Sequence, residues 1–165
     1  MDLHSELRFD ADPYAVFAML TDEAFIARKT LAANALRHES SVRREGDRVT
    51  IDLVRVMPPD VPDFVRRFVG ETIDVHQVDT WEAAEPDGSR TGRIQLDMVG
   101  APVTCTGTMG LRRTGDVTVV TIDGLLKASV PLFGGKIEQA VHQGLTEVAK
   151  IEQRVGNDWL DGRRG

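Results

Sequence analysis

The side chains best suited to chemistry here are His38, Arg55, Gln77 and Asp79, four polar residues set among alternating aliphatic ones. An imidazole beside a guanidinium is held neutral, because a nearby cation disfavours the imidazolium, and a neutral ring accepts a proton at pH 7. The guanidinium can then stabilise an enolate as it forms, while the amide and the carboxylate orient a substrate deeper in. Such a division of roles suits a cyclase or an isomerase. Other constellations fall short. Gly134-Gly135-Lys136 has the lysine of a phosphate loop, but lacks its first glycine and the Ser/Thr after the lysine. His4, His38, His76, His142 and the single Cys105 show no zinc-ligand spacing, so neither a metal nor a cofactor is expected. His142 follows Glu138 by four residues, a solvated helix pair. There is no nucleophile elbow and no Ser/His/Asp set. Cys105, flanked across the sheet by leucines, is expected to be core packing rather than a nucleophile. No residue is assigned as catalytic.

Whether the four polar residues meet depends on the strands that carry them. Leu3, Leu7 and Phe9 alternate with polar residues in a first short strand. Asp12-Pro13 and Thr21-Asp22 then start two short helices, with Phe17 and Leu20 on the apolar side of one and Phe25, Ile26 and Leu31 on that of the other. From Ala35 to Val130 the apolar period becomes two, giving strands at about 35–45, 48–57, 71–84, 90–99, 103–113 and 117–130. Most connections are short and rich in turn residues, so the sheet is expected to be an antiparallel meander, with Pro58–Gly70 as its longest link.

Residues directly opposite in an antiparallel pair share a face. Closing the hairpins places His38 opposite Arg55, Trp81 opposite Ile94, Asp79 opposite Leu96, Leu96 opposite Cys105, Met98 opposite Val103, Met109 opposite Ile122 and Leu111 opposite Val120. The concave face then carries Leu53, Ile73, Val75, Ile94, Leu96, Met98, Val103, Cys105, Met109, Val120, Ile122 and Leu126, and into it break His38, Arg55, Gln77 and Asp79. Those four form either a polar end to an apolar pocket or a buried structural network. A bulge that turns them outward is the third possibility, since Val54 and Val56 offer a competing phase.

The last long stretch, Phe133 to Leu160, has the spacing of one amphipathic helix of about 26 residues, or about 39 Å. Its stripe is Ile137, Val141, Leu145, Val148, Ile151, Val155 and Trp159, with Ala140 and Gly144 beside it. Glu138, Glu147, Lys150, Glu152 and Arg154 are expected on the opposite face. Gly107 falls opposite Gly124, which marks either a bend in the sheet or a close approach of this helix near Gly144. Phe64, Phe68 and Phe133 sit in connections at the end where the helix begins. They form either a movable lid beside Gly134-Gly135 or a plug for the end of the core.

The order strand, two helices, six strands and a long helix, with the closing VPLFGGKIEQAVHQGLTEVAKIEQRVGNDWL, resembles the SRPBCC, or START-like, superfamily. More narrowly, it resembles an uncharacterised actinobacterial branch with a GGKIE…GN-x-WL ending. The resemblance implies an α+β helix-grip fold over residues 1–165 as one START-like domain. Its seven-stranded curved antiparallel sheet would wrap round the C-terminal helix and leave an apolar cavity between them. Members bind lipids, sterols, polyketides or plant hormones, and a minority catalyse cyclisation or aromatisation.

Composition narrows the partners. A net charge of −6 with no basic stripe removes the electrostatic footprint of a nucleic-acid binder. No apolar run approaches the roughly 18 residues of a membrane span, and MDLHSELRFDAD lacks the basic start and apolar core of a signal peptide. One cysteine suits a reducing compartment, so a cytoplasmic protein is expected. The leading expectation is binding of a small hydrophobic molecule, such as a lipid or polyketide. Its site is the concave set with Ile137 and Val141, the four polar residues, and Phe64, Phe68 and Phe133 as lid. Two alternatives stay open: an enzyme using His38 and Arg55, and an interaction module or homodimer that buries Val54 and Val56.

Overall fold

In the computed structural model, which describes residues 1–162, strand β1 (Asp2–Phe9) turns Leu3, Leu7 and Phe9 inward. Helix α1 (Pro13–Leu20) starts where the Asp12 carboxylate accepts from the backbone N–H groups of Tyr14 and Ala15 at 2.9 and 3.0 Å. Helix α2 (Glu23–Ala32) is capped by Asp22 in the same way, so donors left orphaned at both helix starts are satisfied. Phe25 and Ile26 are buried, but Leu31, expected beside them, is 56% exposed. Thr30 takes that inner position, its hydroxyl donating to the Ile26 carbonyl.

Six strands and two helices follow: β2 (Arg37–Glu45), β3 (Arg48–Met57), α3 (Asp63–Val69), β4 (Ile73–Trp81), β5 (Arg90–Val99), β6 (Val103–Thr114), β7 (Val117–Ala128) and α4 (Gly134–Leu160). The sheet is antiparallel, seven-stranded and curved, in the order β1-β7-β6-β5-β4-β3-β2. Strands β2, β4 and β7 are shorter than their alternation suggests, since beyond the ladders of β2 and β4 only single backbone bonds continue, from Leu36 to the Val56 carbonyl and from Glu82 to the Thr91 carbonyl. Helix α3 lies inside the segment expected to be a loop. Its seven residues make two turns at most, too few for a period to show, and its N-cap Pro62 offers no side-chain acceptor. It forms because Val65 is fully buried and because Asp63 and the pair Arg66 and Arg67 suit the two ends of its dipole.

Most of the register follows from the hairpins: His38 faces Arg55, Leu96 faces Cys105, Met98 faces Val103, Met109 faces Ile122 and Leu111 faces Val120. One pairing differs. Trp81 opposes Gly92 rather than Ile94, and Asp79 opposes Ile94 rather than Leu96. The cause is the β4–β5 connection, where a local turn closed by Glu85 and Ser89 sits beyond a further pairing of Glu82 with Thr91. A slip of two residues keeps every side chain on its face. No bulge intervenes in β3, so Arg55 points inward and is 7% exposed, while Val54 on the convex side is 39% exposed.

Helix α4 packs against β1, β7, α1 and α2, and its ends are more deeply buried than its middle. Ile137 and Val141 are buried at one end, and Val155, Gly156 and Trp159 at the other. Between them Leu145, Val148 and Ile151 are only partly covered. The close approach is at Gly156, where a Cβ would fall 2.4 Å from Cε1 of Phe9. It is not at Gly144, where a Cβ would meet nothing within 4 Å. Gly107 and Gly124 instead let β6 and β7 approach each other, since a Cβ on Gly107 would fall 2.2 Å from the Asp123 carbonyl oxygen.

The two helix glycines therefore predict opposite signs. Gly156→Ala drives a methyl into Phe9, and overpacking of about 1–3 kcal/mol outweighs the helix-propensity gain of about 1 kcal/mol. Gly144→Ala collects that gain with no clash. Urea denaturation of the two variants is expected to move the midpoint down for the first and up for the second.

Candidate functional site

The partly covered middle of α4 bridges a cavity of about 350 Å³. Its sheet wall is Ile73, Val75, Leu96 and Met98, and its helix wall is Ala140, Val141, Leu145, Val148 and Ile151. The segment after β3, with Met57, Pro58, Val61 and Pro62, closes one side, and Ala33 and Asn34 at the end of α2 add to the rim. That volume lies at the lower end of small-molecule sites, roughly 300–1,000 Å³.

The expected concave residues divide three ways. Ile73, Val75, Leu96, Met98, Val141 and Arg55 line the large cavity. Leu53, Gln77, Asp79, Ile94, Met109, Val120 and Ile122 line a second pocket of about 50 Å³. Val103, Cys105, Leu126 and Ile137 are 0–2% exposed and belong to a packed apolar cluster with Leu3 and Val65, lining neither. The phenylalanines stand together as their loops require, with the rings of Phe68 and Phe133 6.1 Å apart. Phe64 and Phe68 pack on that same cluster and Phe133 is 41% exposed. None of the three lines the cavity; the 57–62 segment is what bounds it.

A row of polar groups separates the cavity from the second pocket. Nη1 of Arg55 donates to Oε1 of Gln77 at 3.0 Å, and Nε2 of Gln77 donates to both Asp79 oxygens at 3.0 and 3.1 Å. Across from them Lys29 of α2 pairs with Glu152 of α4 at 2.9 Å, and both line the second pocket. The sequence carries a signal for this pair: Lys29 lies three and four residues after Ile26 and Phe25, and Glu152 lies four after Val148 and three before Val155. Both charges therefore sit on apolar faces, not on the outer face expected for Glu152. The row also divides the core, with Leu53, Trp81, Ile94 and Met109 in one apolar cluster and Val75, Leu96 and Cys105 in another.

His38 shares the inward face with Arg55, but it lines neither the large cavity nor the second pocket, and its Nδ1 is buried with no hydrogen-bond partner among the described residues. An acid–base role on a molecule in the cavity would need the ring to reach it, and this geometry does not provide that reach.

Burial lowers the Arg55 pKa from its ordinary value, and the Asp79 and Glu152 carboxylates oppose that shift. Desolvation raises Asp79 from 3.8 to about 6, against the pull of Lys29, the Gln77 hydrogen bond and Arg55. The folded protein thus keeps a proton that the unfolded chain has released. Stability from this group is full below 3.8 and is lost as pH rises through about 6. The shift corresponds to about 3 kcal/mol, a ceiling, because Asp79 keeps some contact with the small pocket. Asp79→Asn should therefore be more stable than the parent at pH 8, by up to ~3 kcal/mol, and show no advantage at pH 4. Urea titrations at the two pH values decide it: an equal change at both would mean that Asp79 is not desolvated.

Comparison with known proteins places this geometry. The family model described as "Protein of unknown function (DUF2505)" matches residues 4–160. The uncharacterized protein Rv0481c of Mycobacterium tuberculosis is 28% identical over 120 residues, which span 70% of this chain and 68% of that one. Among solved structures, a STAR-related lipid transfer protein from Xanthomonas axonopodis superposes with a TM-score of 0.61 at 17% identity, covering 96% of this chain and 84% of its own. The di-domain ARO/CYC StfQ from the steffimycin biosynthetic pathway gives a TM-score of 0.65 at 12% identity, covering 98% of this chain and 51% of that one. At such identities the likeness is one of fold. The chain belongs to the DUF2505 family, and its fold is the START-like, SRPBCC type.

Proposed function

We propose that residues 1–165 act as a single START-like domain that binds a small, mainly apolar molecule between α4 and the β3–β5 part of the sheet. The observation that carries this reading is the cavity of about 350 Å³ under the middle of α4. A helix buried only to complete a core would bring its whole stripe down onto the sheet, as an interior filled to ordinary density requires. Here Leu145, Val148 and Ile151 face open space instead, opposite Ile73, Val75, Leu96 and Met98. Apolar walls with few buried polar groups are the usual make-up of a small-molecule site. Two proteins of like fold carry names that point the same way, one a lipid transfer protein and the other an ARO/CYC from a biosynthetic pathway. The reading assigns the walls to ligand contact and gives the chain no reaction.

A neutral fluorophore, N-phenyl-1-naphthylamine, tests the cavity without involving charge. Its emission is expected to rise saturably, at one site per chain. Val148→Trp places an indole where the helix faces the cavity and should abolish that rise while leaving the far-ultraviolet circular dichroism unchanged. Native mass spectrometry of gently purified protein should show an added small-molecule mass that the variant lacks. No saturable rise and no added mass on the parent protein would sink the reading.

A further inference from the structure

An apolar ligand does not account for the cation in the inner wall of the cavity. Arg55 is 7% exposed and lies between the large cavity and a pocket of about 30 Å³ behind it. A guanidinium carries five N–H donors, and among the described residues its one side-chain hydrogen bond is Nη1 to Oε1 of Gln77 at 3.0 Å. It makes no direct ion pair there. Asp79 stands one amide further on, with both oxygens taken by Nε2 of Gln77. Glu152 is engaged by Lys29 at 2.9 Å. Holding a charge in the interior with one neutral acceptor is costly unless an anion completes the site.

The other polar residues of the cavity, Asn34, Asp60, Gln143 and Glu147, are all exposed at its rim. Arg55 is therefore the one buried polar side chain that the cavity presents. Two oxygens on one carbon match the planar fork of a guanidinium and take two parallel hydrogen bonds from it. Asp60 and Glu147 make the rim acidic, which disfavours an anion left at the mouth and favours one drawn inward.

We propose that the ligand is an amphipathic carboxylate whose head group binds the free edge of Arg55 while its apolar body lies along Ile73, Val75, Leu96 and Met98. The proposal rests on the small-molecule reading above and deepens it. Its orientation is head inward and tail toward the rim, opposite to a detergent-like molecule resting at the surface.

Displacement of N-phenyl-1-naphthylamine by decanoate and by 1-decanol at pH 7 separates the two readings, because the probes share a chain length and differ in charge. Decanoate is expected to displace the fluorophore at a concentration lower by about tenfold or more, the scale of a charge-assisted hydrogen-bond pair. Arg55→Met, similar in length and without charge, should erase the preference while keeping displacement by decanol. Arg55→Lys, which keeps the charge but not the fork, should keep only part of it. Equal displacement by both probes on the parent protein overturns the carboxylate proposal and leaves the small-molecule reading standing, and this comparison needs no variant to fold. A preference that survives in Arg55→Met also overturns it, since the charge would then be read elsewhere. If the fluorophore, decanol and decanoate all fail to bind, both readings fall together.

Discussion

The constraint on which the structure depends is that α4 is fastened at its ends. At the C-terminal end, Gly156 lets the helix backbone come down onto Phe9, and Trp159 meets Phe25 edge-on with ring centroids 5.5 Å apart. Polar side chains add a second fastening: Gln153 accepts from the Arg8 N–H, and Asn157 accepts from the Asp10 N–H and donates to the Arg8 carbonyl. These bonds satisfy backbone groups along β1, an edge strand whose unpaired groups would otherwise be open to another chain. At the N-terminal end, Ile137 and Val141 sink into the cluster of Leu3, Val103, Cys105 and Leu126. With both ends held toward β1 and β7, the middle of the helix cannot also settle onto β3–β5. The cavity is the space left by that geometry.

The polar row lies where the two apolar clusters part. On β3 and β4 the boundary is Arg55, Gln77 and Asp79, and on β6 and β7 it is Gly107 and Gly124. No side chain fills the core at the glycines, and on β3 and β4 the inward side chains at the boundary are polar. The division is therefore set on both sides of β5 by residues that contribute no apolar packing, while β5 itself passes directly from Ile94 in one cluster to Leu96 in the other. Lys29 and Glu152 close it from the helix side, so the charges face one another across the interior instead of facing hydrocarbon.

Much of this could be read from the sequence because a strand has a period of two. The β4–β5 register is displaced by two residues, yet Arg55, Gln77 and Asp79 still point inward as expected, since only an odd slip changes the face. The long helix was equally legible, for seven apolar residues at spacings of three and four admit no other element. Three things were not legible. Helix α3 is too short for a period. Gly144 and Gly156 both lie beside the stripe, and only the position of Phe9 in space distinguishes them. The position of the cavity depends on how far each end of α4 descends, which is a matter of three-dimensional fit that no spacing records. Lys29 and Glu152 are a different case: their spacing placed them on apolar faces, but charge suggested the opposite.

Folding alone gives no reason for the Arg55–Gln77–Asp79 row. Replacing buried charged groups by apolar ones of similar volume is often neutral or stabilising, and Asp79 is held at about 6, well above its ordinary 3.8, by its own desolvation. What the row supplies is orientation. Gln77 can satisfy both neighbours in only one sense, with Oε1 toward the guanidinium and Nε2 toward the carboxylate, so its amide is locked. Arg55 is then tied at Nη1 where it lines the large cavity and the pocket of about 30 Å³ behind it. An aliphatic residue at 55 would continue the wall, and a lysine would offer a mobile point charge. A guanidinium braced from behind offers a fixed fork at the inner end of an otherwise apolar space, and that is the feature able to select one end of a ligand over the other.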